Sequence, residues 1–174
     1  KIGIPSMIGA YLFPKIFSSF QQLYPHLDIY LYEEGSMTIR EQLERDDLDF
    51  GIVIISDASA SLQLLPMSRN QIVACIPEKH PLARKDSISI NDVANADLIM
   101  LKEGSFLRQL VLSKIKRANI MPEIVLESNQ IETVKGLIAS NVGIAFLLDF
   151  IVKGAPGIKA VPFDDPLYVD LGLA

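Results

Sequence analysis

The chain has 174 residues and a mass of 19.2 kDa, which favours one or two small domains. Its 49% apolar and 21% charged residues argue against a disordered or fibrous protein, and its net charge of −5 makes it a poor candidate for holding nucleic acid through its own surface. One cysteine and two histidines exclude an internal disulfide and a structural zinc site, and no apolar run is long enough to span a membrane. Because the chain does not begin with Met and has no cleavable leader, we expect it to be a fragment of a longer protein.

Strand and helix patterns alternate through the first 55 residues. The order is strand, helix, strand, helix, strand, which predicts right-handed crossovers and a doubly wound parallel sheet. The predicted elements are a strand at 1–5, a helix over 11–23, a strand at 27–32, a helix that opens at Gly35-Ser36 and an apolar strand at 49–55.

Proline and polar residues set the expected starts of the two helices. Pro14 should lie in the first turn of the first helix, because an interior proline costs about 3 kcal/mol, so this helix is expected to begin near residues 9–11. The second helix carries Thr38-x-x-Glu41, which reads as a capping box, with Ile39 and Leu43 facing the core.

The same alternation returns in the second half of the chain, after extended pieces at 62–67 and 72–77, a charged loop and one helical turn at 89–93. Ser128-Asn129 is expected to start a helix, with Asn129 and Glu132 as its cap pair. The later elements are a strand at 97–101, a helix from Gly104-Ser105, a strand at 123–127, the helix after Ser128-Asn129, a strand at 144–148 and extended pieces at 158–161 and 167–171. These patterns predict two half-size α/β units.

The sequence offers no convincing catalytic group. It lacks a nucleophile elbow, a phosphate-binding loop and a dinucleotide-binding glycine motif. His26 and His80 read as surface histidines, and Cys75 reads as a small buried hydrophobe because its run has no cationic neighbour. Glu33 and Glu34 are adjacent on a strand and therefore point to opposite faces. We expect no enzyme activity, no cofactor and no metal.

The junctions between strands and helices favour a binding protein. In open α/β sheets, ligands bind outside the carboxyl ends of the strands, where helix N-termini present free N–H groups that suit an anion, especially a carboxylate. Serine, glycine and asparagine are also ordinary turn and cap residues, so the argument depends on the junctions recurring in both units. Each junction carries a serine, and they are Pro5-Ser6-Met7, Glu34-Gly35-Ser36, Glu103-Gly104-Ser105-Phe106 and Ser128-Asn129-Gln130.

Several phrases, in order and at the right spacing, resemble the effector-binding (regulatory) domain of LysR-type transcriptional regulators over essentially the whole chain. Each is weak alone, and together they are specific. They are Tyr11-Leu12-Phe13-Pro14 with Phe20 and Tyr24-Pro25, the strand entry from Leu43 to Gly51, His80-Pro81-Leu82-Ala83, and the segment from Val134 to Ala145. Asn141 and Leu148 depart from the family pattern without threatening the fold.

The resemblance implies a periplasmic-binding-protein-like (type 2) α/β fold, with two Rossmann-like subdomains joined by two crossing strands. Regulatory subdomain I would hold residues 1–73 and 163–174, and subdomain II residues 74–162. A small effector would bind in the cleft between them. Combined with the junctions, the resemblance gives these effector-binding residues: Ser6, Met7, Gly35, Ser36, Gly104, Ser105, Phe106, Ser128 and Asn129.

The resemblance also implies partners and a location. Family members dimerise with the first helix of one chain against a subdomain II helix of the other, and the full-length protein would be a tetramer. DNA would be bound only through an N-terminal winged helix-turn-helix that this chain lacks, in the cytoplasm and away from membranes. Subdomain II carries 11 basic and 9 acidic residues, a balance of +2, which favours a small organic anion as effector, with Arg69, Lys102 and Arg108 near the expected rims.

Two other classes stay open on the sequence. A periplasmic solute-binding protein of a transport system shares the architecture, although the His80-Pro81-Leu82-Ala83 phrase favours the regulator. A small α/β enzyme has no residue constellation behind it.

Overall fold

The chain divides into two units in the structure, a computed structural model that describes residues 1–57 and 60–174, without the side chains of Lys15 and Asp57. Unit 1 holds Lys1–Ser68 and Asp170–Ala174, and unit 2 holds Arg69–Val169. The chain therefore passes between the units twice. The boundaries near residues 73 and 163 expected for regulatory subdomains stay a prediction.

The described part of the chain contains eight strands and five α-helices, together with short 3-10 turns and loops. In chain order they are β1 (Ile2–Pro5), α1 (Ser6–Leu23), β2 (Leu31–Glu34), α2 (Ser36–Glu44), β3 (Phe50–Ile54), β4 (Leu65–Pro77), β5 (Leu98–Met100), α3 (Phe106–Arg117), β6 (Ile124–Glu127), α4 (Ile131–Ala139), β7 (Ala145–Leu148), α5 (Asp149–Val152) and β8 (Ile158–Leu173). None of the helices in residues 1–57 and 60–174 is long and apolar enough to cross a bilayer.

The sheet of unit 1 has the order β2-β1-β3-β8. Strand β1 is parallel to both β2 and β3, as predicted for a doubly wound arrangement. The end of β8 adds an antiparallel fourth strand, in which Leu171–Leu173 pair with Ile52–Ile54 of β3. Residues far apart in the sequence thus pair in one sheet.

Two glycines let helix α2 pack closely on this sheet. Ile39 is fully buried, and a Cβ added at Gly3 of β1 or Gly51 of β3 would lie 2.8 or 2.7 Å from its Cγ2 atom. Leu43 is buried one helical turn later. The prediction that Ile39 and Leu43 face the core is confirmed. Because Gly3 and Gly51 have no side chain, α2 can pack closely on β1 and β3.

Helix α1 begins earlier than the sequence suggested. It starts at Ser6, so the expected start near residues 9–11 is wrong, and Pro14 lies in the helix interior instead of in its first turn. Pro14 and the residue four positions before it, Ala10, are both exposed. The carbonyl of Ala10, which loses its helical partner at Pro14, therefore faces solvent and can bind water, which reduces the cost of the proline.

The expected caps of α2 and α4 are also wrong. Gly35 is the N-cap residue of α2, so Thr38 and Glu41 lie inside the helix and cannot form a capping box at its start. Gln130 is the N-cap residue of α4, one position later than the expected Asn129. Both helices begin where the backbone leaves the extended conformation.

Unit 2 contains an antiparallel pair and a parallel pair of strands. Ile72–Cys75 of β4 pair with Ala145–Leu148 of β7, and β5 runs parallel to β6. The expected inward residues of α4, Ile131, Val134 and Ile138, are all buried, and Asn141 ends the helix region with a positive φ of 61°. The extended pieces expected on either side of residues 68–71 and 162–166 are instead continuous in β4 and β8.

Candidate functional site

The two helix starts of unit 1 lie side by side. Because β1 and β2 are parallel and Pro5 is in register with Glu34, the chain leaves both strands at the same edge of the sheet. Ser6 and Ser36 are the first residues of α1 and α2, and neither helix has a side-chain cap within the described ranges. Helix starts of this kind present first-turn N–H groups that can bind an external acceptor.

The expected contact residues of unit 1 differ in how accessible they are. Ser6 and Gly35 are half-buried, whereas Ser36 and Met7 are both buried. Ser36 also takes part in an interaction within the protein. The backbone of the two starts and the Ser6 hydroxyl are thus better placed to meet a ligand than the Met7 side chain, which belongs to the core of unit 1.

The two helix starts of unit 2 are joined directly by hydrogen bonds. Met100 at the end of β5 is in register with Glu127 at the end of β6, and the Ser128 N–H donates to the Met100 carbonyl over 2.9 Å. The Asn129 side-chain carbonyl accepts from the Lys102 N–H over 3.0 Å. Asn129 therefore ties its own junction to the neighbouring one, which explains why it does not cap α4.

Ser105 and Gly104 shape the start of α3 as the sequence predicted. Gly104 has a φ of 83°, a conformation that L side chains rarely adopt. Ser105 is the N-cap residue, and its hydroxyl accepts from the Arg108 N–H over 3.4 Å. Phe106 follows as the first helical residue and is half-buried.

Arg108 links the carboxyl ends of β5 and β6. Its Nη1 donates to the Leu101 carbonyl over 2.6 Å, and its Nη2 lies 2.6 Å from the Glu127 carboxylate. The side chain is largely buried. The sequence predicts Arg108 only as a cation near the rim. The local pattern does not show that this first-turn residue of α3 contacts both the Leu101 carbonyl and the Glu127 carboxylate.

The other two expected rim cations have different surroundings. Arg69 stacks over the ring of Tyr168, with 4.7 Å from Cζ to the ring centroid. Lys102 is exposed, and its backbone N–H makes the bond to Asn129 described above. Lys102 is therefore the one of the three expected cations whose exposed side chain lies at a helix-start junction.

His80 has a structural role at the start of a short helical turn. His80 Nδ1 accepts from the Leu82 N–H over 3.2 Å and so caps a short helical turn. Among the residues that the structure describes, no three His, Cys, Asp or Glu side chains are grouped so that they could hold a metal ion.

Cys75 is buried on β4, and burial raises the pKa of its thiol to about 12. The thiolate is the reactive form, and a shift from 9.0 to about 12 makes it about 1000-fold scarcer at a given pH. We expect native protein to react with dithionitrobenzoate at pH 8 at least about 100-fold more slowly than protein unfolded in guanidinium. Prompt labelling of one thiol per native chain would contradict the buried position.

The comparisons with known proteins agree on one family. A family model described as LysR substrate binding domain matches residues 1–174. A Bacillus subtilis protein named uncharacterized HTH-type transcriptional regulator YybE is 32% identical over 149 residues, which cover 86% of this chain and 51% of the relative. The hydrogen peroxide-inducible genes activator of Haemophilus influenzae is 27% identical over 168 residues, covering 95% of this chain and 56% of the activator. The chain thus spans about half the length of these relatives.

Solved structures share the fold. The regulatory domain of CcmR from Synechocystis PCC6803 in complex with 2-PG matches with a TM-score of 0.85 and 24% identity, covering 99% of this chain and 84% of that chain. The effector binding domain of QuiR in complex with shikimate matches with a TM-score of 0.78 and 23% identity, covering 98% and 84%. The predicted LysR resemblance and periplasmic-binding-protein-like fold are confirmed. The transport alternative is not supported, because the family and both relatives are regulators.

Proposed function

Because the chain belongs to the LysR substrate-binding-domain family, we propose that it is the effector-sensing part of a LysR-type transcriptional regulator and that its effector is a small organic anion. One observation carries the ligand class: in each unit, two helix starts are held side by side at the carboxyl ends of parallel strands. Such starts present N–H groups and the positive ends of helix dipoles, which favour a carboxylate.

The proposed contacts come from the helix starts of each unit. Unit 1 supplies Ser6, Met7, Gly35 and Ser36, and unit 2 supplies Gly104, Ser105, Phe106, Ser128 and Asn129. Backbone N–H groups of these turns that make no bond within the protein bind the anion, and the Ser6 hydroxyl sets its orientation. The two units serve as regulatory subdomains I and II.

The proposed mechanism is a population shift without catalysis. An effector that binds one conformation of the domain more tightly raises the population of that conformation, and only this difference in affinity can move the equilibrium. The change is transmitted to an N-terminal winged helix-turn-helix, which holds operator DNA. Relatives about twice as long as this chain support such a further region.

Homodimers, and a tetramer of the full-length protein, are part of the same proposal, as is a cytoplasmic location. Helix α1 of one copy would pack on a helix of unit 2 in the other. Exposed apolar side chains at the end of α1, Leu23 and Tyr24, support this arrangement because such residues are usually covered in an assembly.

A thermal-shift screen tests the ligand class. The panel contains small carboxylates, shikimate among them, together with amino acids and neutral metabolites of similar size. We expect at least one carboxylate to raise the melting temperature in a saturable way, because a ligand that binds only the folded state stabilises it. If only neutral or cationic compounds do so, the anion proposal fails.

Serine substitutions locate the site. We expect Ser6→Ala and Ser36→Ala to weaken binding of the carboxylate found in the screen by about tenfold, which corresponds to one lost hydrogen bond to a charged group. Ser18→Ala, at an exposed position of α1, is the matched control and should leave the affinity unchanged. Isothermal titration measures all three, and unchanged affinity in both Ser6→Ala and Ser36→Ala would place the site elsewhere.

A further inference from the structure

Lys102 lies in the turn between β5 and α3 of unit 2, and the backbone at this point is fixed by bonds from two other elements. The Lys102 N–H donates to the Asn129 side-chain carbonyl over 3.0 Å. The carbonyl of the preceding residue, Leu101, accepts from Arg108 Nη1 over 2.6 Å. The Lys102 side chain therefore starts from a defined position where the two helix starts of unit 2 are joined.

The charge of Lys102 is not used within the described part of the protein. The residue is exposed, and its ammonium group takes no part in the ion pairs and hydrogen bonds among residues 1–57 and 60–174. Arg108, the other cation of these turns, is instead paired with the Glu127 carboxylate at 2.6 Å. A cation on a fixed backbone loses less freedom when it binds a ligand than one on a mobile loop, which favours its use as a recognition group.

The helix starts of unit 1 carry charge of the opposite sign. Glu33 and Glu34 end β2, directly before the start of α2, and both are exposed. Glu33 also lies against the first turn of α1, since a Cβ added at Gly9 would be 2.8 Å from its Oε1 atom. Arg40, one turn into α2, lies 3.7 Å from the Glu44 carboxylate. The carboxylates beside these starts interact with the same helix dipoles that would hold an anion and therefore weaken its binding there.

We propose that Lys102 is the counter-ion for the carboxylate of the effector, so that unit 2 recognises the negative charge. This inference rests on the proposed effector class and adds the side chain that recognises it. The ammonium group donates to the carboxylate together with N–H groups of the same turns that make no bond within the protein. Unit 1 contributes hydrogen bonds without a paired charge. Because hydrogen bonds between two charged groups are stronger than neutral ones, Lys102 makes the site select an acid over its neutral amide.

Amide NMR of isotopically labelled protein, titrated with sodium acetate, tests the assignment without knowledge of the effector. Acetate supplies a carboxylate alone, and sodium chloride at the same ionic strength shows which shifts are caused by salt. We expect saturable shifts of the Ser105, Phe106 and Gln130 amides in the parent protein. Lys102→Gln should weaken this binding by about tenfold, whereas Lys102→Arg keeps the charge and should stay within about threefold of the parent.

Glu103→Gln is the matched control, because it replaces a charge by an amide at the neighbouring exposed position. It should bind acetate as the parent does or about twofold more tightly, since a negative charge is removed. Circular dichroism and melting curves show that each variant is folded. Isothermal titration then compares the carboxylate from the thermal-shift screen with its neutral amide, and Lys102→Gln should reduce the preference for the acid by about tenfold.

The outcomes for Lys102 and for the effector class are separate. Acetate binding that survives Lys102→Gln, that is weakened equally by Glu103→Gln, or that shifts only the amides of Ser6, Met7 and Ser36 would overturn the role of Lys102. The absence of any shift in the turns of unit 2 would also overturn it. The effector class survives each of these results and fails on a different one, when no carboxylate in the thermal-shift screen stabilises the protein.

Discussion

Replacing Gly143 with alanine is expected to destabilise the protein by about 1–3 kcal/mol, because the added methyl group would overpack a rigid part of unit 2. A Cβ at Gly143 would lie 2.6 Å from the carbonyl oxygen of Asp97. That oxygen also accepts the Ile144 N–H over 2.8 Å. The residue after Asp97 is Leu98, which is fully buried and begins β5. The obstacle is backbone, so it cannot swing aside as a flexible side chain would.

Gly136 provides the matched control for Gly143, seven residues earlier in the same segment. It lies in the exposed face of α4, and nothing stands within 4 Å of a Cβ added there. Alanine restricts the unfolded chain more than glycine and suits a helix better, so Gly136→Ala should stabilise the protein by about 0.5–1 kcal/mol. Urea unfolding followed by circular dichroism measures both variants. Changes of the same sign in the two variants would contradict the packing described around Gly143.

Arg108→Gln is expected to lower the affinity for the effector by about tenfold or more, although Arg108 need not touch the ligand. The substitution removes the bonds to the Leu101 carbonyl and the Glu127 carboxylate that hold the ends of β5 and β6 together. A hydrogen bond to a charged group contributes about 1.5–3 kcal/mol, which is enough to loosen both turns by about tenfold. Isothermal titration with the carboxylate from the screen measures the loss.

A ligand-free measurement separates positioning from a general loss of stability. Hydrogen exchange of the Lys102 and Ser128 amides should accelerate by about tenfold in Arg108→Gln, because these amides close the same junctions. Arg117→Gln, at an exposed position of the same helix, is the control and should change neither exchange nor affinity. If both arginine variants behave alike, Arg108 has no special role in these turns.

The sequence predicted the parts of the fold that depend on local pattern. Buried positions such as Ile39 and Val134 follow from helical spacing, and the turn at Asn141 follows from its tolerance of positive φ. The sequence pattern places Pro14 in the first turn because an interior proline is costly. It does not show that Ala10 is exposed to solvent, which lowers the cost of the proline in the helix interior. The apolar stripe of α1 does not show that face, because two of its members, Ile16 and Leu23, are themselves exposed.

The residues of the candidate site were harder to predict than the turns that hold them. The serine-bearing junctions can be predicted from the sequence because serine, glycine and asparagine are common where a strand ends and a helix starts. The roles of Asn129 and Arg108 are not visible, since each bonds to a residue in a neighbouring junction that is distant in sequence. Such bonds arise only when parallel strands bring two turns together.

The antiparallel end of β8 has a consequence for synthesis on the ribosome. Gly51 and Ala174 exchange two backbone hydrogen bonds of 3.0 and 2.9 Å across 123 positions of sequence. Contacts so far apart form late, because a long loop must close before any of them is gained. Unit 2 is made entirely before the strand that finishes unit 1. The nascent first unit therefore carries an unpaired β3 edge until residues 171–174 have been made, and a variant without these residues would leave that edge open to other chains.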